Sequence, residues 1–396
     1  MNEILNFINE NDNWEHLLSN EPYNLMIKHD GPYVLVKYNH IQTDFSNPIH
    51  QQARGSIFYY DIIDQKWKYA CRPYDKFGNY GVDYAATYKL DWNNAYVREK
   101  VDGSLIKVWF SPIENLWWVS TNGTIDAAQA TMDEGQKSFY DYFIHALGGR
   151  NNFNILLSKL NIYYTYMFEL VGPENKIIVD YDEPAVYLLA ARHNVNGCII
   201  NQLNYEPLTC FNNFDFIKHP KIYPLNSLEE CIAATDQMGA DQEGFVVNDT
   251  HGNMIKVKSA EYLIASRCAN NGVPLSVKTI IDFIDDNKID DVVDYAPAFQ
   301  QEKIRKVQLC IDWMCYNMEK WGTAIKCATP KQQYEGLVNL MKHSTFDDTF
   351  NSMIVAFGIA YYKGQANKPY KFLFKNKTKL AHYIKWHLNY KEEDGE

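Results

Sequence analysis

The chain has 396 residues, 15% aromatic content and a formal charge of −11. That length suits two domains with full cores, and the composition excludes a disordered chain. The acid excess argues against a surface that is basic throughout, but a binding groove is local and is not excluded by an average.

No run approaches the ~20 apolar residues of a membrane-spanning helix. Residues 1–6 lack the basic and apolar regions of a secretory leader. The eight cysteines form no C-x-x-C pair and no zinc-spaced cluster with histidine. They read as reduced, mostly buried thiols of a cytoplasmic protein, in the host cytoplasm if the chain is viral.

In chain order, residues 3–19 read as a short helix from Ile4, Leu5, Ile8, Leu17 and Leu18. Short β-like runs follow at 25–28 and 33–38, then a hairpin at 56–60 and 67–71. Strands flank residue 100 on both sides, and Trp117 to Ser120 returns toward the turn dipeptide Asn122-Gly123. Residues 125–147 and 154–160 read as helices. Strands are expected at 163–171, 177–181, 186–191, 244–247 and 254–258. Beyond about 270 the apolar spacing becomes helical, as in Val307, Ile311, Met314, Met318 and Trp321. The expected class is α+β: a domain over residues 1–270 built on antiparallel sheets, then an all-helical domain over 271–396.

The chemistry centres on Lys100-Val101-Asp102-Gly103-Ser104, at the mouth of the apolar run 105–110. A lysine can act as a nucleophile only when neutral, so burial or nearby cations must favour its deprotonated form. Glycine allows close backbone approach, and Asp102 can position the amine. Taken alone, K-x-D-G is weak, because a lysine before a turn is common.

Its company strengthens it. Met254-Ile255-Lys256-Val257-Lys258 alternates so that Lys256 and Lys258 share one strand face. That face fits a polyphosphate, or the polar outer side of an amphipathic strand. Glu243 opens an apolar strand, and Glu169 sits inside one, which requires a partner, a metal or a structural ion pair. Arg54 and Arg72 to Phe77, with Lys76, place further cations beside turns, for phosphate contact or as ordinary surface charge.

The ordered set Ala53-Arg54-Gly55, Arg72 to Phe77, Asn79-Tyr80-Gly81, Lys100 to Ser104, Phe168 to Pro173, Glu243 to Val246 and Lys256 to Ser259 resembles the ATP-dependent RNA ligases of the phage tRNA-repair type. These form the RNA ligase 1 family of the covalent nucleotidyltransferases. The resemblance spans roughly residues 50–265. It implies a nucleotidyltransferase domain that uses ATP and Mg²⁺ or Mn²⁺. Lys100 would carry AMP, with Glu99, Asp102 and Gly103 in the same motif. Arg54 and Lys76 would meet the ATP phosphates. Glu169 would lie by the sugar and Glu243 by the metal. Lys256 and Lys258 would hold phosphates, and Tyr262 matches a further family position. Residues 188–192 stand where the family shapes its adenine pocket. Asp290 and Asp291 resemble a metal-meeting acidic pair.

The implied reaction joins RNA 5′-phosphate and 3′-hydroxyl ends, including those of a cleaved tRNA, through lysyl-AMP and an adenylated RNA end. A 5′-end kinase/3′-phosphatase is the partner such a ligase would work with, and the expected state is a monomer. One departure stands out. The family places a basic residue just before the glycine of the hairpin that follows the nucleophile strand, and Ser120-Thr121-Asn122-Gly123 has none. Residues 363–391 hold eight lysines and no acidic residue, interleaved with aromatics including Tyr370, Phe372 and Trp386. They read as a single-stranded RNA grip or as a solvated face with core aromatics. A non-ligating RNA-end-binding protein of the same fold, or a DNA ligase or capping-type enzyme, are the alternatives; helical periodicity after 270 argues against the last two.

Overall fold

The computed structural model describes the chain apart from residues 1, 40–43, 83–84, 86–88, 133–136, 202–204, 240, 260–261, 263–274, 286–288, 290–292, 294–297, 325–329, 367 and 391–396. Two compact units are present, Met1–Ser266 and Arg267–Glu396. Asp290, Asp291 and Lys391 lie outside the described residues.

The first unit is built on three antiparallel sheets. The N-terminal sheet runs β1 (Met26–Asp30), β2 (Tyr33–Lys37), β3 (Arg54–Asp61) and β4 (Lys66–Cys71) in spatial order. Alternation sorts its two faces. Val34, Val36 and Phe58 pack on Ile4, Ile8, Trp14 and Leu18 of the helices Glu3–Glu10 and Trp14–Ser19. Tyr33, Leu35 and Ile57 pack on Trp109. β2 is therefore buried on both faces, which explains its unbroken apolar run.

Two further sheets hold the Lys100, Glu169, Glu243 and Lys256 motifs between them. One pairs β5 (Ala95–Glu99) with β13 (Ile222–Tyr223) and β14 (Gly244–Asp249), and ends on β15 (Met254–Lys258). The other contains β6 (Ser104–Ser111), β7 (Leu116–Thr121), β10 (Tyr164–Val171), β11 (Ala185–His193) and β12 (Ile199–Ile200), in the order β12-β11-β10-β6-β7. β8 (Thr131–Met132) and β9 (Lys137–Ser138) form a separate ribbon. Ile106, Val108, Tyr166 and Phe168 bury one face of the β6/β10 sheet under Tyr142, Phe143, Phe153 and Leu156, from the helices Phe139–Ala146 and Arg150–Leu157. On the opposite face Leu105 and Met167 meet Val246 and Met254. Lys100 lies at the edge of this seam, because β5 ends and β6 begins on either side of it.

The α+β class and the antiparallel sheets agree with the expectation. Three local readings do not. Residues 125–147 are not one helix: a 3-10 turn, Ala127–Gln129, and the β8/β9 ribbon precede the helix Phe139–Ala146. Asp126 caps the 3-10 turn and Ser138 caps the helix, so local side-chain bonds break the run. Residues 177–181 form no strand, because the Ile178 and Val179 N–H groups donate to Asp102 instead of to a neighbouring strand. The N-terminal helix is likewise two helices, Glu3–Glu10 and Trp14–Ser19.

The second unit is helical where described. It comprises Val277–Asp285, Ala298–Gly322, Pro330–Lys342, Asp348–Tyr362, Pro369–Phe374 and Lys377–His387. Its core includes Ile304, Val307, Ile311, Met314, Met318, Phe350 and Ile354, as the three-and-four spacing implies.

Candidate active site

Lys100 leaves β5 with its backbone N–H donating to the Gly244 carbonyl at 2.8 Å. β14 is thereby anchored under the lysine, and the residue before Gly244 is Glu243. The Glu243 side chain is fully buried. One of its oxygens, Oε2, accepts the Lys100 ammonium; the other, Oε1, is 3.1 Å from Lys258 Nζ. The group bonded to Lys100 is thus a carboxylate. Lys258 is 1% exposed, so its strand face points into the protein and is no polar outer surface. A fully buried carboxylate is costly unless paired, and two lysines meet that need.

Asp102 fixes the turn after the nucleophile. Its Oδ2 accepts the Ile178 and Val179 N–H groups, each at 2.8 Å, and its Oδ1 accepts the Tyr262 hydroxyl at 3.0 Å. Burial and then the Glu243 charge push its carboxyl up to about 6, against the pull of Lys100 and the two N–H donors. Gly103 is required by space: a Cβ there would collide with the Leu170 carbonyl oxygen of β10. That close approach brings β10, and with it Glu169, against the nucleophile turn.

Glu169 accepts no hydrogen bond from a described residue. Burial pushes its carboxyl up to about 8; Lys100 and Arg54 pull it down, and Glu243 and Asp102 push it further up. The Lys100 charge thus pulls down, and the Glu243 charge pushes up, the carboxyls of both Asp102 and Glu169. Among the described residues no group of three or more His, Cys, Asp or Glu side chains is placed to hold a metal. Mg²⁺, however, is commonly held by one or two carboxylates with substrate phosphates and waters. Glu169 is a carboxylate of that kind, whereas both Glu243 oxygens are engaged by Lys100 and Lys258 here.

The upstream cations reach the same region. The Arg54 guanidinium lies 5.6 Å from the Phe77 ring centre and Lys256 Nζ lies 5.2 Å from it, so both cations gather on that ring. The Nη1 of Arg54 is buried with no hydrogen-bond partner. An orphaned cationic donor beside a site of this kind suits an incoming anion. Lys76 is buried against the rings of Tyr38 and Phe45. Phe77 is carried by a segment stitched to β15, where Lys256 N–H donates to the Gly78 carbonyl and Tyr80 N–H to the Lys256 carbonyl. Arg192 steadies the same segment through Asp75, at 2.7 Å, and the Pro73 carbonyl. Residues 188–192 thus act on this loop, whatever else they shape.

Other residues take different places. The Glu99 carboxylate accepts the Lys221 N–H at 3.2 Å. Arg72 is buried, stacked 4.7 Å over Tyr69, with Nη1 donating to the Val195 carbonyl. That is an internal role rather than a surface cation. In the second unit Phe372, Phe374 and Tyr370 pack among other aromatics, and Tyr383 donates to Asp347, whereas Trp386 is exposed. Of the aromatics interleaved with the lysines there, Phe374 and Tyr383 are buried and Tyr370 and Phe372 half-buried.

One residue carried a signal and was passed over. Lys107 stands inside the apolar run of β6 and is fully buried, donating to the Gly55 carbonyl. Burial pushes its ammonium down to about 8.

The profile of the RNA ligase family matches residues 52–262. A protein named a bifunctional polynucleotide kinase/RNA ligase, from Autographa californica nuclear polyhedrosis virus, is 30% identical over 246 residues, covering 58% of this chain and 33% of that protein. An RNA ligase of Rhodothermus phage RM378 is 27% identical over 197 residues, 42% of this chain and 43% of that one. The matched regions thus span less than half the length of either relative. Among solved structures, an archaeal ATP-dependent RNA ligase aligns over 89% of this chain and 95% of its own, with 12% identity and a TM-score of 0.46. Naegleria gruberi RNA ligase with PPi aligns over 43% of this chain and 51% of its own, with 19% identity and a TM-score of 0.34.

Proposed function

Given that this chain belongs to the RNA ligase family, we propose that it is an ATP-dependent ligase joining RNA 5′-phosphate and 3′-hydroxyl ends through a lysyl-AMP at Lys100. The observation that carries this reading is the buried Glu243 carboxylate shared between Lys100 and Lys258. It fixes one amine at the edge of the seam between the two sheets and a second cation beside it.

In the first step, deprotonated Lys100 leaves Glu243 and attacks the α-phosphorus of ATP. A P–N bond forms, the bridging P–O bond breaks, and pyrophosphate departs with the electron pair. An RNA 5′-phosphate oxygen then attacks the same phosphorus, and the P–N electrons return to the lysine. Last, an RNA 3′-hydroxyl attacks the activated 5′-phosphorus and AMP leaves. Each step rests on in-line placement and charge neutralisation. Lys258, Lys256 and Arg54 supply fixed positive charge, and Asp102 holds the turn rigid. A divalent cation held by Glu169 and Glu243 would neutralise charge on the phosphate oxygens. We assign RNA preference to residues 271–396, where the exposed Trp386 lies near Lys385 in sequence and suits base stacking. Ends from a cleaved tRNA, prepared by a 5′-end kinase, are the substrates this assignment favours.

The test is incubation with α-labelled ATP followed by a chase with 5′-phosphorylated RNA. The expected result is a labelled protein whose AMP moves to RNA, and no label on Lys100→Ala. Full labelling of that variant would overturn the assignment.

A further inference from the structure

Between the 3-10 turn Thr209–Asn213 and β13 the chain crosses from one central sheet to the other. It does so at residues 218–221, and that strap is stitched to both sheets. Lys218 forms a parallel bridge with Tyr187 of β11: its N–H donates to the Val186 carbonyl at 2.8 Å, and the Leu188 N–H donates to its carbonyl at 2.9 Å. Three residues on, the Glu99 N–H donates to the Lys221 carbonyl at 2.8 Å, and the Lys221 N–H donates to the Glu99 carboxylate at 3.2 Å. Glu99 is the residue before Lys100, so the strap borders the nucleophile.

Register decides which way its side chains face. Glu169 pairs directly with Tyr187, and Tyr187 with Lys218. Paired residues share a face, so Glu169, Tyr187 and Lys218 form one row across three strands. Neighbouring strands lie ~4.8 Å apart, which sets Lys218 roughly 10 Å from Glu169 along that row. The half-buried Tyr187 packs on Val101, Val171 and Ala185, the first of them in the nucleophile turn. Lys218 Nζ lies 5.8 Å from the centre of its ring. Lys221 repeats the arrangement, with Nζ 4.8 Å from the centre of the half-buried Tyr223 ring. Burial, then the Glu99 charge, push both phenols up, so both rings are neutral at pH 7. Both lysines are exposed, and among the described residues neither ammonium makes an ion pair.

An exposed ammonium resting on a ring is held weakly. It can swing to a phosphate and leave the ring face to a base, the pairing of contacts by which single strands are gripped. We propose that Lys218 and Lys221, with the rings of Tyr187 and Tyr223, form an RNA-binding ledge for the strand that brings its 5′-phosphate to Lys100. That strand must stay beside the lysine through both AMP transfer and sealing, and the ledge is bonded to the residue next to that lysine. This inference rests on the ligase reading above.

The experiment compares the wild type, the double variant Lys218→Met/Lys221→Met, the double variant Lys218→Arg/Lys221→Arg, and Lys66→Met, which removes an exposed charge from β4. Three quantities are measured: adenylation rate against ATP concentration, transfer of preloaded AMP to 5′-phosphorylated single-stranded RNA at several salt concentrations, and sealing of pre-adenylated RNA to a 3′-hydroxyl RNA. The expected result for the double methionine variant is wild-type adenylation and a KM for the 5′-phosphorylated strand raised about tenfold in transfer and in sealing. Its log–log salt slope should fall by about 0.7 for each lysine that meets a phosphate. The arginine pair and Lys66→Met should stay close to wild type. The proposal fails if the KM for ATP rises, if only the 3′-hydroxyl strand binds more weakly, or if nothing changes. It fails equally if Lys66→Met is as defective, which marks net charge, or if the arginine pair is, which marks packing. A wild-type protein that takes up no label at all would instead overturn the ligase reading itself.

Discussion

The two units solve the problem of charge differently. In Met1–Ser266 the buried polar set includes Arg72, Asp102, Lys107, Arg192 and Glu243; in the helical unit the only buried polar residue among those described is Asn317. A helical core built from Val307, Ile311, Met314, Phe350 and Ile354 needs no charge to hold it. Charge kept inside the first unit is costly and needs partners there. The difference is one of burial: ion pairs are structural necessities around Lys100 and surface ornaments around Lys377.

The largest effect should come from removing the shared carboxylate. Glu243→Gln removes the counter-charge shared by one fully buried and one partly buried ammonium, and should cost about 3–5 kcal/mol in a urea titration, with loss of adenylation. Next comes Gly103→Ala. Its Cβ strikes backbone that cannot swing aside, so a loss of about 3 kcal/mol is expected at the upper end of overpacking, read by the same titration. Survival of either variant at wild-type stability would erase the distinction between the units.

Glu169→Gln sharpens it through pH. Glu169 has a folded pKa of about 8, above its unfolded value, so the folded state favours the protonated form. Wild-type stability is therefore drained as pH rises from the unfolded pKa toward 8, and the Gln variant escapes this. Its melting temperature relative to wild type should climb between pH 5 and pH 8, by a few degrees at most; a flat difference would show that Glu169 is solvated. Smallest is Lys377→Ala. Lys377 bridges Asp282 and Asp285 at 3.0 and 2.8 Å but is 31% exposed, so the loss should stay within about 1 kcal/mol.

What could be read from residues alone follows from range. The K-x-D-G turn, the alternating lysines of β15 and the three-and-four spacing of the helices are local patterns, and all were legible. The Glu243 clasp joins residues 143 apart, and nothing near Glu243 announces which amine it will meet. The strand expected at 177–181 failed for the same reason, since its N–H groups bond to a carboxylate some 76 residues upstream. Lys107 alone was within reach, as a charge interrupting an apolar strand.

Asp102 draws its side-chain donors from residues 178, 179 and 262, the last of them 160 positions away. A chain still emerging from the ribosome has no Tyr262 to offer until most of this unit has been made. The letters of the motif are therefore written early, but its support is completed late. A fragment ending before residue 262 would carry Lys100 and lack the hydroxyl that steadies its turn. The turn after Lys100 is thus fully supported only when the surrounding unit is nearly whole.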